Sequence, residues 1–215
     1  MTPHAIAVAS SKGGTGKSSI AAALSVQATA DGEKVALLDW EPQGSLTLWW
    51  TMRGKPENPH LISNTDDPAE AIDLACERGD AWVFLDTAPG DIDQIERAIM
   101  ACDLCLIPVS ASAFDLVAAR TVVALCGEHD RPFAFVLNRE NPRREVLNGS
   151  AAKHLRKLGA LLAEHVHDRA AYVSALNKGL TGPEHPDARQ AKDARVEIEA
   201  LWVAVKKLIA RGKAR

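Results

Sequence analysis

Residues 11–19 read Ser-Lys-Gly-Gly-Thr-Gly-Lys-Ser-Ser, and few local sequences restrict a fold so tightly. An apolar run, Ala5-Ile6-Ala7-Val8-Ala9, precedes them, and a helix-like segment, Ser18–Ala30, follows. Strand, glycine-rich turn and helix start together form a cradle for polyphosphate. Gly13, Gly14 and Gly16 let backbone N–H groups face phosphate oxygens with no Cβ in the way. A helix beginning at Ser18 adds its positive dipole end. Lys17 is placed to reach the terminal phosphates and the Ser18 hydroxyl to ligate Mg²⁺, with Thr15 and Ser19 completing the cradle. Lys12 is the oddity. The common pattern G-x-x-x-x-G-K-[ST] has glycine at position 11, where this chain has Ser11 followed by a second lysine.

Two further stretches end apolar runs in an acid. Lys34-Val35-Ala36-Leu37-Leu38-Asp39 leads into Trp40-Glu41-Pro42-Gln43, and Trp82-Val83-Phe84-Leu85-Asp86 leads into Thr87-Ala88-Pro89-Gly90. An acid at a strand's C-terminal end beside a phosphate loop can hold Mg²⁺ through its water shell. Strands are predicted near His4–Ser10, Lys34–Asp39, Ala81–Asp86, Leu104–Val109, Pro132–Asn138 and Ala160–His165. Helices are predicted near Ser18–Ala30, Pro68–Arg78, Ile92–Ala101, Ser112–Cys126, Arg143–Leu158, Arg169–Lys178 and Ala188–Ala210. Short apolar strands alternating with helices predict one α/β domain over residues 1–215, a doubly wound, mainly parallel sheet flanked by helices. The three motifs then share the strand C-terminal edge, where open α/β sheets bind ligands.

The variant loop K-G-G-x-G-K-[ST], together with the Asp39 and Asp86 stretches, resembles the ParA/MinD group of P-loop ATPases with a deviant Walker A motif. The segments Ile107-Pro108-Val109 and Arg169–Leu176, with the final helix, are similar to the short ParF-type partition proteins. The phosphate loop starts about ten residues in, so the N-terminal DNA-binding extension of longer ParA proteins is expected to be absent. The resemblance implies an ATPase that hydrolyses ATP slowly with Mg²⁺ and is stimulated by DNA and a partner. It implies an ATP-bound homodimer in which Lys12 reaches the nucleotide of the other subunit, making Lys12, Lys17 and Asp39 the catalytic set. Asp39 would help position the attacking water or the metal, alongside Ser18 and Asp86. Glu41 stands where the family has a second aspartate. Asn138 and Arg139 fall where the family places residues near adenine.

Charge is unevenly placed. Residues 1–115 carry 7 Lys and Arg against 17 Asp and Glu, and residues 116–215 carry 18 against 11. Lys153, Arg156 and Lys157 share a helix face and can engage phosphate backbone without reading sequence, or simply be solvated. Further basic residues, Lys206, Lys207, Arg211, Lys213 and Arg215, close the chain. With the resemblance, this predicts nonspecific DNA as a partner, with a centromere-binding or cargo adaptor protein. The longest stretch lacking Asp, Glu, Lys and Arg is Ser18–Ala30, shorter than the roughly 18 apolar residues of a membrane span. No secretory signal precedes it, so a cytoplasmic, nucleoid-associated protein without integral membrane association is expected. The alternatives are a MinD-like membrane-surface ATPase, from the basic and apolar residues of Val203–Arg211, and ParA-like positioning of a cargo other than DNA. Cys102-x-x-Cys105 has metal or redox spacing but no second pair, and Cys105 lies in a strand pattern, which favours burial. His165-x-His167 reads as structural, and Trp49-Trp50 as packed.

Overall fold

The computed structural model describes residues 2–212. Its strands are β1 (His4–Val8), β2 (Val35–Asp39), β3 (His60–Ile62), β4 (Trp82–Asp86), β5 (Leu104–Val109), β6 (Phe133–Glu140) and β7 (Val166–His167). They form one seven-stranded parallel sheet of order β3-β2-β4-β1-β5-β6-β7. The helices are α1 (Lys17–Ala30), α2 (Ser45–Met52), α3 (Pro68–Arg78), α4 (Ile92–Ala101), α5 (Ala113–Glu128), α6 (Glu145–Leu158), α7 (Ala170–Leu176) and α8 (Ala188–Gly212).

Both faces of the sheet are covered, which explains why strands such as Leu104–Val109 are apolar at every position rather than at alternate ones. One core joins the sheet to α3, α4, α5 and α6 through Ala71, Ile95, Ile99, Val122 and Leu155. The other joins it to α1, α2 and α8 through Leu24, Leu46, Trp49, Ile198 and Trp202. Ile198, Leu201, Trp202, Val205 and Ile209 of α8 are buried, so that helical stripe is spent inside the protein. Trp202 packs edge-on against Trp82, and its indole N–H donates to Asp31 at the end of α1. Lys213 and Arg215 lie outside the described residues. No helix among the described residues is long and apolar enough to cross a membrane.

The sequence-predicted elements differ from the structure in three places. α2 and β3 were not expected: α2 is only eight residues long, and β3 only three. The last strand is displaced from Ala160–His165 to Val166–His167. There the chain makes a single bridge, Phe135 to Leu161, leaves the sheet, and rejoins β6 at Val166 opposite Asn138, with a bulge in β6 between Asn138 and Glu140. Cys102, Cys105 and Cys126 are buried in the core, whereas Cys76 on α3 is half-buried. No group of His, Cys, Asp and Glu among the described residues could hold a metal in the manner of a dedicated ligand cluster.

Candidate nucleotide site

β1 is flanked by β4 and β5, so the chain leaving β1 at Val8 enters the sheet's central crevice. There the phosphate loop turns into α1. Gly14 (φ 75°) and Gly16 (φ 93°) adopt left-handed conformations, and a Cβ on Gly16 would collide with the Asn138 amide. Gly16 is also the N-cap of α1, and no side chain caps that helix. Its first N–H groups therefore remain for an anion. Lys17 is buried at the mouth, where burial lowers its pKa and nearby Asp86 and Glu41 oppose the shift.

Asp86 is fully buried, and neither carboxylate oxygen has a partner at full hydrogen-bonding geometry, although the Ser18 hydroxyl stands near. Burial pushes its pKa up to about 7; the Ser18 hydroxyl and Lys17 pull it down, while Asp39 and Glu41 add like charge. An orphaned buried carboxylate next to a hydroxyl, a lysine and two further acids fits a divalent cation. Ser18 and Asp86 would hold Mg²⁺, which when bound neutralises phosphate charge.

Asp39 lies beside Asp86 in strand register, at half-burial. Its Oδ1 accepts from Glu41 N at 3.1 Å and its Oδ2 from Thr47 N at 2.7 Å. Both oxygens therefore serve the loop and the first turn of α2, a role the sequence did not signal. The neighbouring loops are joined by Gln94 of α4. Its Nε2 donates to Trp40 O at 2.9 Å and its Oε1 accepts from Ala88 N at 2.7 Å.

Asn138 and Arg139, expected near adenine, also grip the phosphate loop. Asn138 Nδ2 donates to Thr15 O at 2.6 Å, and Arg139 Nη1 to Gly14 O at 3.2 Å. Arg139 sits at the β6 bulge with φ 55°, which re-aims its side chain across the loop. Beyond them a cleft of about 420 Å³ runs from the phosphate loop and Ser19 to His167, Asp168, Tyr172 and Ile198. Its far wall is fastened by Glu197 of α8. That carboxylate accepts from His167 Nδ1, Tyr172 Oη and Arg169 Nη2, each at 2.7 Å. Glu140 likewise engages His165 at 2.8 Å. The two histidines are structural as expected, but their acidic partners come from distant elements. A broader groove along 142–150 is open to solvent and contains none of the motif residues.

Lys12 does not point into this cleft. Its ammonium pairs with Asp115 of α5 and lies 5.9 Å from the centroid of the exposed Phe114 ring. Burial alone would raise the Asp115 pKa; Lys12 and Ser110 outweigh it and hold the carboxyl below its ordinary value. Lys153, Arg156 and Lys157 are exposed together near the C-terminal end of α6. α6 starts just past β6 and runs back along the sheet, so they lie far from the phosphate loop.

The family of the CobQ/CobB/MinD/ParA nucleotide binding domain matches residues 6–181, from β1 to the loop before α8. The chain belongs to that family. A curated ParA/MinD-type relative is the maintenance of carboxysome distribution protein A of Halothiobacillus neapolitanus, 31% identical over 186 residues, covering 82% of this chain and 85% of that protein. Another is protein ParA of Rhizobium radiobacter, 32% identical over 126 residues, 58% of this chain and 57% of that one. Among solved ParA/MinD folds, the septum site-determining protein MinD of Pyrococcus horikoshii, complexed with Mg-ADP, superposes with a TM-score of 0.73. It is 16% identical, with 98% of each chain covered.

Proposed function

We propose that this chain is a partition-type positioning ATPase that binds MgATP, closes into a homodimer over the nucleotides, and then holds nonspecific DNA. The observation that carries the reading is the division of labour between its two lysines. Lys17 would complete the phosphate site within one chain, and Lys12 would be surplus there, since it is turned away, half-exposed, onto the buried Asp115 carboxylate. A cation so placed can turn to the phosphates of a facing copy, stabilising transition-state charge only when two chains meet. Lys17, Ser18 and the α1 N-terminus would hold the phosphates, and Asn138 and Arg139 would keep the loop in its binding shape. Asp39 would hold the acid loop and orient water through it. Lys153, Arg156 and Lys157, remote from the closing face, stay free to meet DNA phosphates in the dimer.

The relatives named for ParA and for carboxysome distribution support a positioning role. On this reading a cargo adaptor would stimulate hydrolysis, in the cytoplasm. The carboxysome relative matches along 85% of its length, which favours a second reading, in which the cargo is a protein assembly rather than a plasmid. The membrane-surface alternative is weakened, because Val205 and Ile209 of the Val203–Arg211 segment are buried and only Val203 among its large apolar residues is exposed.

The deciding experiment is fluorescence anisotropy on an arbitrary DNA duplex with MgATP, MgADP and no nucleotide, across a salt series. Binding that needs MgATP and weakens steeply with salt is expected. Equal binding in all three states, or none in any, refutes the DNA-gated switch.

A further inference from the structure

We propose that Gln94 is a positioning residue for hydrolysis, a clip by which α4 holds the acid loop after β2 in register with the loop after β4. The proposal rests on the ATPase reading above. Its starting point is geometric. β2 and β4 are paired as far as Asp39 and Asp86, and one further hydrogen bond, Trp40 N to Asp86 O at 2.8 Å, continues the ladder. Beyond it the two chains diverge, one to Glu41 and α2, the other to Pro89, Gly90 and α4. Each then presents a backbone group that the ladder no longer satisfies.

Gln94 supplies both missing partners with one planar amide. Its carbonyl oxygen takes the Ala88 N–H at 2.7 Å, and its NH₂ gives to the Trp40 carbonyl at 2.9 Å. Glutamine suits this position because a single group must accept on one side and donate on the other. The residue is itself anchored, since its backbone N–H donates to the helix-capping Asp91 at 3.0 Å. One turn on, Arg97 lies 5.1 Å from the Trp40 ring centroid and pairs with Asp67 at 3.5 Å. α4 thus grips Trp40 by carbonyl and by ring.

The clip lies close to the phosphate loop. A Cβ on Gly13 would stand 3.8 Å from the Pro89 ring, and one on Gly90 would stand 3.8 Å from the Ser11 carbonyl, so the loop after β4 passes next to the phosphate loop with little room between them. From that loop the hydrogen bonds run from Ala88 through Gln94 to Trp40, whose neighbours are Asp39 and Glu41. Gln94 touches none of the groups that would bind phosphate or metal. Its effect falls on where the acids stand relative to the phosphates, which governs turnover more than affinity.

Gln94→Glu and Gln94→Leu separate the two arms. The carboxylate still accepts from Ala88 N–H but cannot donate to Trp40; leucine does neither. We expect kcat for MgATP to fall about tenfold or more in both, most in Gln94→Leu, with KM and mant-ADP affinity within about twofold of wild type. Amide exchange without nucleotide reads the clip directly. The Ala88 amide should be protected in wild type and Gln94→Glu, and fast in Gln94→Leu, while the β4 amides stay unchanged. Wild-type kcat in both variants overturns the proposal, as does an equal fall in kcat and affinity. Unaltered Ala88 protection in Gln94→Leu overturns it even if that variant is less stable. A wild-type protein that hydrolyses no ATP while its Ala88 amide behaves as expected refutes the ATPase reading, and the positioning role with it, but leaves the clip as structure.

Discussion

The β2–β4 side of the sheet and the β5–β7 side differ in where they keep their charge. On the first, the decisive groups are buried: Asp86 with no well-formed hydrogen bond, and Lys17 at the crevice mouth near Asp86 and Glu41. On the second, buried carboxylates such as Glu197 and Asp115 are fully partnered, and cations unpaired among the described residues, Arg143, Arg144, Lys153, Arg156 and Lys157, are carried outside. The sequence asymmetry between an acidic first half and a basic second half is only partly spatial: β1 separates β2, β3 and β4 from β5, β6 and β7, but α8 of the basic half packs back over α1 and β4. The lesson is that chemistry on phosphate and contact with a polyanion use charge in opposite ways. A desolvated group is individually strong and intolerant, whereas exposed cations act by number.

The sharpest break in that contrast comes from Lys17→Ala, which should weaken MgATP binding about a hundredfold or more in mant-nucleotide titrations, since one charge-assisted phosphate contact is lost from a water-poor site. Asp86→Asn should next reduce kcat by about two orders of magnitude while raising the thermal stability of the nucleotide-free protein. The sign follows from its carboxyl being pushed up to about 7. The folded state keeps a proton that the unfolded chain releases near its ordinary value of 3.8, so this contribution is complete at low pH and is lost as pH rises toward 7. Melting curves of Asp86→Asn from pH 5 to 8 should be flatter than those of wild type.

On the exposed side, Lys153→Glu with Lys157→Glu should lower affinity for arbitrary DNA about tenfold at fixed salt and reduce the salt slope, with nucleotide affinity intact. An unchanged salt slope would move the DNA surface elsewhere. Smallest is Asp31→Asn, which removes an exposed pair with Lys206 at 2.7 Å and should cost less than about 1 kcal/mol by chemical denaturation. The Lys206 hydrogen bond lowers the Asp31 pKa, so its contribution is present above the ordinary carboxylate range and disappears on acidification through the lowered value.

How far the sequence was readable divides along the same line. The phosphate loop, Asp39 and Asp86 were legible because each is fixed within a few residues of its own strand end. Helices α3 and α4 match their predicted spans because caps mark them: Asp67 before Pro68, Gly79 after Arg78, and Asp91 before Ile92. The far wall of the cleft was illegible. Glu197 meets His167, Arg169 and Tyr172 across at least 25 residues of chain, and no local pattern announces that meeting. Asn138 and Arg139 were expected near adenine; the structure attaches both to the phosphate loop instead, beside a bulge that periodicity does not reveal. Gln94 looked like an ordinary polar residue in a first helical turn until both loops stood beside it.

Cysteine placement has a practical corollary. Three thiols are sealed in the core, while Cys76 on α3 is half-buried, in the helix layer beside β2 and β4 rather than in the nucleotide crevice. The native chain therefore offers a single favoured address for a maleimide dye. Two differently labelled pools, mixed with nucleotide, can report on subunit association by energy transfer without an engineered cysteine.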